Sequence, residues 1–278
     1  MTKYAAARVS RGLAAALAGT ALLATAACSE DDEASVSTAR ASASKVAQSP
    51  TGSPTASPTS TRSPSPSPSA LTEAQAETAL IGASDLGAPW EQTEKEPDHD
   101  DLLKGTAQGE DCQKFLNRLN DDNILGDKTS VEADRSFHNS DNNADLEYEV
   151  ATYEDQAQVE KQMAWLKKIP QTCDQFTAKV GPDKTDATVQ VTEITLPGVD
   201  ENHTGMRMTL KTKVDGEDAT LTLDAVAVLM GPNGITFTHG GLDGAVGDTT
   251  EQAAKLGTER LKQVLEGKTP SELPSEQD

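Results

Sequence analysis

Met206-Arg207-Met208-Thr209-Leu210-Lys211-Thr212-Lys213-Val214 alternates between residues that pack and residues that stay wet, the period of a strand with one buried face. Asp215-Gly216 supplies a tight hairpin turn, and the chain returns through Thr220 to Met230. Within that return, Ala225 to Met230 is apolar on both faces, which places the strand at the centre of a sheet. Pro232-Asn233-Gly234 turns the chain again into Ile235-Thr236-Phe237-Thr238. Upstream, Val189-Gln190-Val191 and Ile194-Thr195-Leu196 read as a further strand with a one-residue phase slip, a bulge. The C-terminal half is therefore an antiparallel meander.

Helices are expected around it. Thr72 can cap a helix with Ala76, Leu80 and Ile81 on its apolar stripe, ended by Asp85-Leu86-Gly87-Ala88-Pro89-Trp90. The acidic stretch from Glu91 to Asp101 reads as a loop. Cys112, Phe115, Leu116 and Leu119 share a helical face, and Val159, Met163 and Leu166 share another behind the cap Asp155, flanked by Trp165 and stopped by Pro170. Between these helices, Val131, Ala133, Arg135 and Phe137, then Leu146, Tyr148 and Val150, alternate as two strands joined by a turn rich in Asn, Ser and Asp. A last helix, capped by Thr249 or Thr250, carries Ala253, Leu256, Leu261, Val264 and Leu265 up to Gly267. The expectation is an α+β fold: an antiparallel sheet of about five to six strands with helices on one face, a single domain over 71–268 with a polar tail at 269–278.

The N-terminus reads differently. Lys3, Arg8 and Arg11 precede an apolar run from Leu13 that closes in Leu22-Leu23-Ala24-Thr25-Ala26-Ala27-Cys28, the order of a secretory signal over residues 1–27. Small residues directly before Cys28 resemble the lipobox of bacterial lipoproteins. That resemblance implies that Cys28 becomes the lipidated first residue, an anchor in the cell membrane on its extracytoplasmic face. The alternative is ordinary cleavage around Ala24 to Ala26 that leaves Cys28 as a thiol. Residues 28–70 are Ser, Thr, Ala and Pro with an acidic start, and end in Ser63-Pro64-Ser65-Pro66-Ser67-Pro68; such a stretch cannot bury apolar surface and reads as a disordered spacer.

Removing Lys3, Arg8 and Arg11 leaves 21 of the 24 basic residues against 45 acidic ones, a mature charge of −24. Such a surface repels nucleic acid and welcomes cationic ligands, basic proteins and divalent ions. With aromatic residues at 3% of the chain, the core must be aliphatic. Outside the reducing cytosol, Cys112 and Cys173 are most simply read as one disulfide.

No HExxH, G-x-S-x-G or phosphate-cradling glycine loop is present, and no S-x-x-K set is placed for a penicillin-type acyl enzyme, so neither a catalytic residue nor a cofactor is assigned and the chain reads as a non-enzyme. His239, ahead of Gly240-Gly241, is either a strand-end histidine bonded to backbone or a base at a pocket mouth. Asp98-His99-Asp100-Asp101, Asp121-Asp122-Asn123 with Asp127, and Asp141-Asn142-Asn143-Asp145 lack the spacing of a calcium loop and read as solvated; no metal site is assigned. Trp90 and Trp165 either anchor the core or line a groove.

From Leu71 to Gly267 the order of elements, with Leu80, Leu86, Trp90, Cys112, Trp165, Cys173 and the closing helix, resembles the extracellular sensor domain of PknH-type bacterial kinases, which also occurs in stand-alone lipoproteins. The resemblance implies a non-enzymatic ligand-binding or sensor-like module, its ligand a small molecule, cell-wall fragment or protein, with a cleft between sheet and helices. The family commonly has two disulfides where this chain can form one, and no ligand-binding residue carries over. A solute-binding lipoprotein of a transporter, or a cell-envelope hydrolase using carboxylates or His239, are the competing readings.

Overall fold

The computed structural model describes residues 69–270 apart from 96, 98, 130, 200, 243, 245 and 246. The expected leader, Cys28, all of the Ser/Thr/Pro spacer but residues 69 and 70, and nearly all of the polar tail lie outside the described residues. The described residues all fall in one compact unit, Arg62–Asp278. Among them, no helix is long and apolar enough to cross a membrane.

Local rules account for most elements. In α1 (Glu73–Ala79), the Thr72 hydroxyl accepts from the Gln75 amide while the Gln75 side chain accepts from the Thr72 amide, a reciprocal cap. A short α2 (Ala83–Leu86) follows. The stretch expected as an acidic loop instead holds β1 (Trp90–Thr93) and α3 (Asp100–Leu103), and β2 (Gly105–Ala107) comes next. The buried residues of α4 (Glu110–Asn120) are Cys112, Phe115, Leu116 and Leu119, the expected face. The strand pair is present as β3 (Glu132–Asn139) and β4 (Ala144–Thr152). Asp155 Oδ1 accepts from the Gln158 amide at 3.0 Å to start α5 (Gln156–Leu166), and α6 (Ile169–Thr172) delivers the chain to Cys173.

Five strands and a helix complete the fold: β5 (Gln175–Val180), β6 (Thr185–Glu193), β7 (Asn202–Val214), β8 (Glu217–Met230), β9 (Asn233–Gly241) and α7 (Gly247–Leu265). β5 was not anticipated. Ile194 to Leu196 does not continue β6 through a bulge, because the ladder ends at Glu193 and the Ile194 amide donates to Gly205 O at 3.0 Å beyond it. Nor does Thr249 or Thr250 cap α7, which begins at Gly247 and places Thr250 inside its first turns.

All nine strands form one antiparallel sheet in the order β1-β3-β4-β9-β8-β7-β6-β5-β2, which exceeds the five or six expected: the edge strands β1 and β2 are too short to show a period, and the alternation of Phe176, Ala178 and Val180 in β5 was missed. β8 is the middle strand, as its two apolar faces require. The same feature corrects the placing of the helices on one face. Ala225, Ala227 and Leu229 join the core under α4, α5 and α6, whereas Val226, Val228 and Met230 join a second core under α1 and α7. Adjacent strand residues point to opposite faces, so the sheet is covered on both. α7 lies close because Gly257 has no side chain: a Cβ there would stand 1.9 Å from Tyr148 Oη on β4.

Candidate functional site

Helices cover only part of the face beneath α4 to α6. Toward β3, β4 and β9 that face turns polar, and the register sets two rows across three strands: Asp134, Glu149 and Thr236, then Ser136, Glu147 and Thr238. They line a cavity of about 230 Å³. Its roof is the loop between α4 and β3, which contributes Asp122, Ile124 and Lys128. The loop is held down by Ile124 and Leu125 in the core, by Gln162 Nε2 donating to Ile124 O at 3.2 Å and by Arg118 Nη1 donating to Asn123 O at 3.3 Å.

One cation serves this cluster of acids. Lys128 Nζ donates to Glu149 and, at 2.9 Å, pairs with Glu132. Burial opposes its charge, but those two carboxylates hold its pKa above the ordinary lysine value. Glu149 is pushed upward by burial, and Lys128 opposes the rise. Glu147 meets burial without a cation. The charges of Asp122, Asp100 and Asp145 add to it, only the Thr238 hydroxyl at 3.4 Å opposes it, and the carboxyl is pushed up to about 8. Asp122 is also raised, first by burial, with Lys128 opposing and Asp121 and Asp134 adding. At neutral pH the cleft therefore holds the protonated carboxyl of Glu147, a group that can release its proton as a cation enters.

The residues singled out from sequence are dispersed. Cys112 and Cys173 are bonded to each other, as expected. His239 is neither at a strand end nor bonded to backbone: it is fully buried within β9, with Nδ1 2.8 Å from Thr250 Oγ1. Thr250 in turn donates to Asp224 Oδ2 at 2.6 Å, and Arg207 holds Asp224 through two bonds of 2.6 and 2.8 Å. His138 Nδ1 lies 2.7 Å from Asp145 Oδ1, and His203 Nδ1 lies 2.8 Å from Glu201 O. In the Asp141 turn, Asn139 and Asn142 side chains cap the backbone amides of Asp141 and Ala144. Asp98 lies outside the described residues, and among those described no three His, Cys, Asp or Glu side chains gather as metal ligands. Trp90 is buried with its ring edge-on to His239, at 5.5 Å between centroids; Trp165 is half-buried, donating to Asp111 at 2.8 Å with Lys114 over its ring.

Glu147 and Glu149 went unremarked in the sequence because acids alternating with Leu146, Tyr148 and Val150 read as an ordinary wet face. What buries them is the roof loop, which no local pattern announces.

No family model matches the chain and no curated protein matches it. Among solved structures it is similar to the extracellular domain of PknH from Mycobacterium tuberculosis, at 12% identity over 72% of this chain and 99% of that one, with a TM-score of 0.45.

Proposed function

We propose that the chain is a lipid-anchored, outward-facing α+β module that recognises a ligand without transforming it, and that the cleft over β3, β4 and β9 is where the ligand binds. The observation that carries the site is Glu147, a carboxyl kept protonated inside a cavity whose one cation, among the described residues, is already shared by Glu149 and Glu132. A ligand amine, guanidinium or metal cation entering there replaces that proton. Recognition therefore tightens as pH rises toward 8. The anchor rests on the lipobox-like run ending in Cys28, and mass spectrometry of the mature chain is expected to find a diacylglyceryl adduct on that residue; an unmodified Cys28 overturns it.

Glu147 also sets a pH dependence of stability. Its folded pKa of about 8 lies above the ordinary 4.5, so the stability it allows is fully present below pH 4.5 and is lost as pH rises through 8. Because water reaches part of the side chain, the expected loss is roughly 2–3 kcal/mol, less than the full shift implies. Glu147→Gln keeps the shape and lacks the proton to lose. Urea unfolding at pH 5 and pH 9 is expected to show the wild type losing that much more than the variant, and parallel losses would refute the assignment. Thermal stabilisation of the full chain by diamines and divalent cations at pH 8 is expected to vanish in the same variant.

A second reading has one observation in its favour. Glu147 and Glu149 stand two residues apart on one strand in different environments, one facing burial alone and the other opposed by Lys128, as an acid and base pair of a hydrolase requires. On that reading the wild type hydrolyses an aryl glycoside and Glu147→Gln does not. On ours neither does.

A further inference from the structure

The chain enters the described fold at one pole of the sheet. Asn233, the first residue of β9, donates to Ser69 O at 2.9 Å and accepts from the Leu71 amide at 3.0 Å, and Thr152 at the end of β4 accepts from the same amide. β8 then runs 14 residues to the other pole, about 40 Å away at the usual rise of a strand. At that far pole the β5–β6 turn, the β7–β8 turn, the residue after β9 and the end of α3 enclose a groove of about 450 Å³.

Two features distinguish it. The exposed large hydrophobic residues among those described are Val214, at 39%, and Leu242, at 37%, and both line this groove, with Leu102, Val180 and Pro182 beside them. Its rim is acidic. Asp183 and Asp215 have no ion-pair partner among the described residues, Asp101 shares an exposed pair with Lys104, and the one rim cation, Lys213, is already held by Asp218 at 2.7 Å. An apolar floor under unpaired carboxylates complements a chain segment in which Leu, Ile or Val alternate with Lys or Arg.

We propose that this distal groove docks a basic, apolar peptide segment of a partner protein. The site uses none of the residues of the β3–β4–β9 cleft, so the two stand or fall separately. Its position places the partner on the side of the domain away from the point where the spacer joins it.

The test uses the full chain and a short synthetic peptide of alternating lysine and leucine, labelled for fluorescence anisotropy. Three variants separate groove binding from attraction to a strongly acidic surface. Val214→Ser with Leu242→Ser removes the floor. Asp183→Asn with Asp215→Asn removes the rim charge, and asparagine tolerates the positive φ of 53° at position 215. Glu73→Gln with Glu154→Gln removes the same charge elsewhere. The first two variants are expected to weaken binding tenfold or more, and the third less than twofold. Equal loss in the two charge variants, equal affinity for a glutamate and leucine peptide, or concentration-dependent self-association that the serine variant abolishes would each overturn the proposal; the last would make a second copy of the chain the occupant.

Discussion

Replacing Cys112 and Cys173 together with alanine is expected to lower the stability of the fold by about 4 kcal/mol. The bridge closes a separation of 61 residues, and the chain-entropy account gives that magnitude for a loop of this length. The loop encloses β3, β4, α5 and α6, so without the bond the unfolded chain regains the freedom of four elements at once. The native side loses little that could compensate. Both sulfurs are buried where α4 meets α6, in a core whose apolar atoms come mainly from Leu, Val, Ala and Met, and alanine leaves a small void there. Removing both cysteines avoids a lone thiol that would pair between molecules. At roughly 2–4 °C per kcal/mol for a domain of this size, thermal unfolding should shift down by about 8–16 °C. Reductant should bring the wild type to the same midpoint without affecting the variant. A shift under about 2 °C, or a reductant effect that persists in the variant, would show that the bridge does not hold α4 to α6.

That bridge was legible before the fold was, because a chain read as exported with two cysteines beside Cys28 leaves few pairings. The meander was legible for a different reason. Residues from Met206 to Val214 carry their own period, Ala225 to Met230 is apolar on both faces, and turns such as Asp215-Gly216 are local chemistry. Caps were equally local, as Thr72 and Asp155 show. What escaped was nonlocal. β1 and β2 exist through hydrogen bonds that β3 and β5 donate and accept, and strands of four and three residues carry no period of their own. The two-faced helix cover was implied by Ala225 to Met230, since a strand apolar on both sides needs a layer over each; placing all helices on one face contradicted that observation. The cleft escaped because its acids become buried only when residues 122–128 fold over them. Asp224 is the instructive miss. A lone carboxylate between Leu223 and Ala225 in the central strand is a local anomaly, and a buried acid needs a cation in register with it. Arg207 stands directly opposite on β7.

Asp224→Ala is accordingly expected to cost about 2–3 kcal/mol, the range for losing hydrogen bonds to a charged group and leaving buried partners unsatisfied. Asp224 is 0% exposed and accepts three hydrogen bonds, two from Arg207 and one from Thr250, so its loss loosens β7, β8 and α7 together. Arg207 reaches solvent and is not stranded, whereas Thr250 and His239 are. The hydroxyl of Thr250 has a single proton. While Asp224 is ionised against Arg207, that proton goes to the carboxylate, so Thr250 accepts from His239 and the ring proton resides on Nδ1. Nε2 is left as a buried acceptor without a partner. Burial then depresses the His239 pKa to about 4; Asp224 opposes the fall and Arg207 adds to it. A depressed base is neutral in the folded state where the unfolded state takes up a proton, so stability is full above pH 6.5 and is lost as pH falls toward 4. Without Asp224 the Thr250 hydroxyl is free to donate to Nδ1, and the ring proton moves to Nε2. Nitrogen chemical shifts of His239 should therefore report the Nδ1–H tautomer in the wild type and the Nε2–H tautomer in Asp224→Ala, whose side chain offers Thr250 no acceptor. Replacing Asp224 and Arg207 together with leucine should recover part of the lost stability, because an apolar pair leaves no buried charge. An Asp224→Ala chain within about 1 kcal/mol of wild type, or one whose His239 keeps the wild-type tautomer, would show that Thr250 and His239 are held by the packing of α7 and not by the carboxylate.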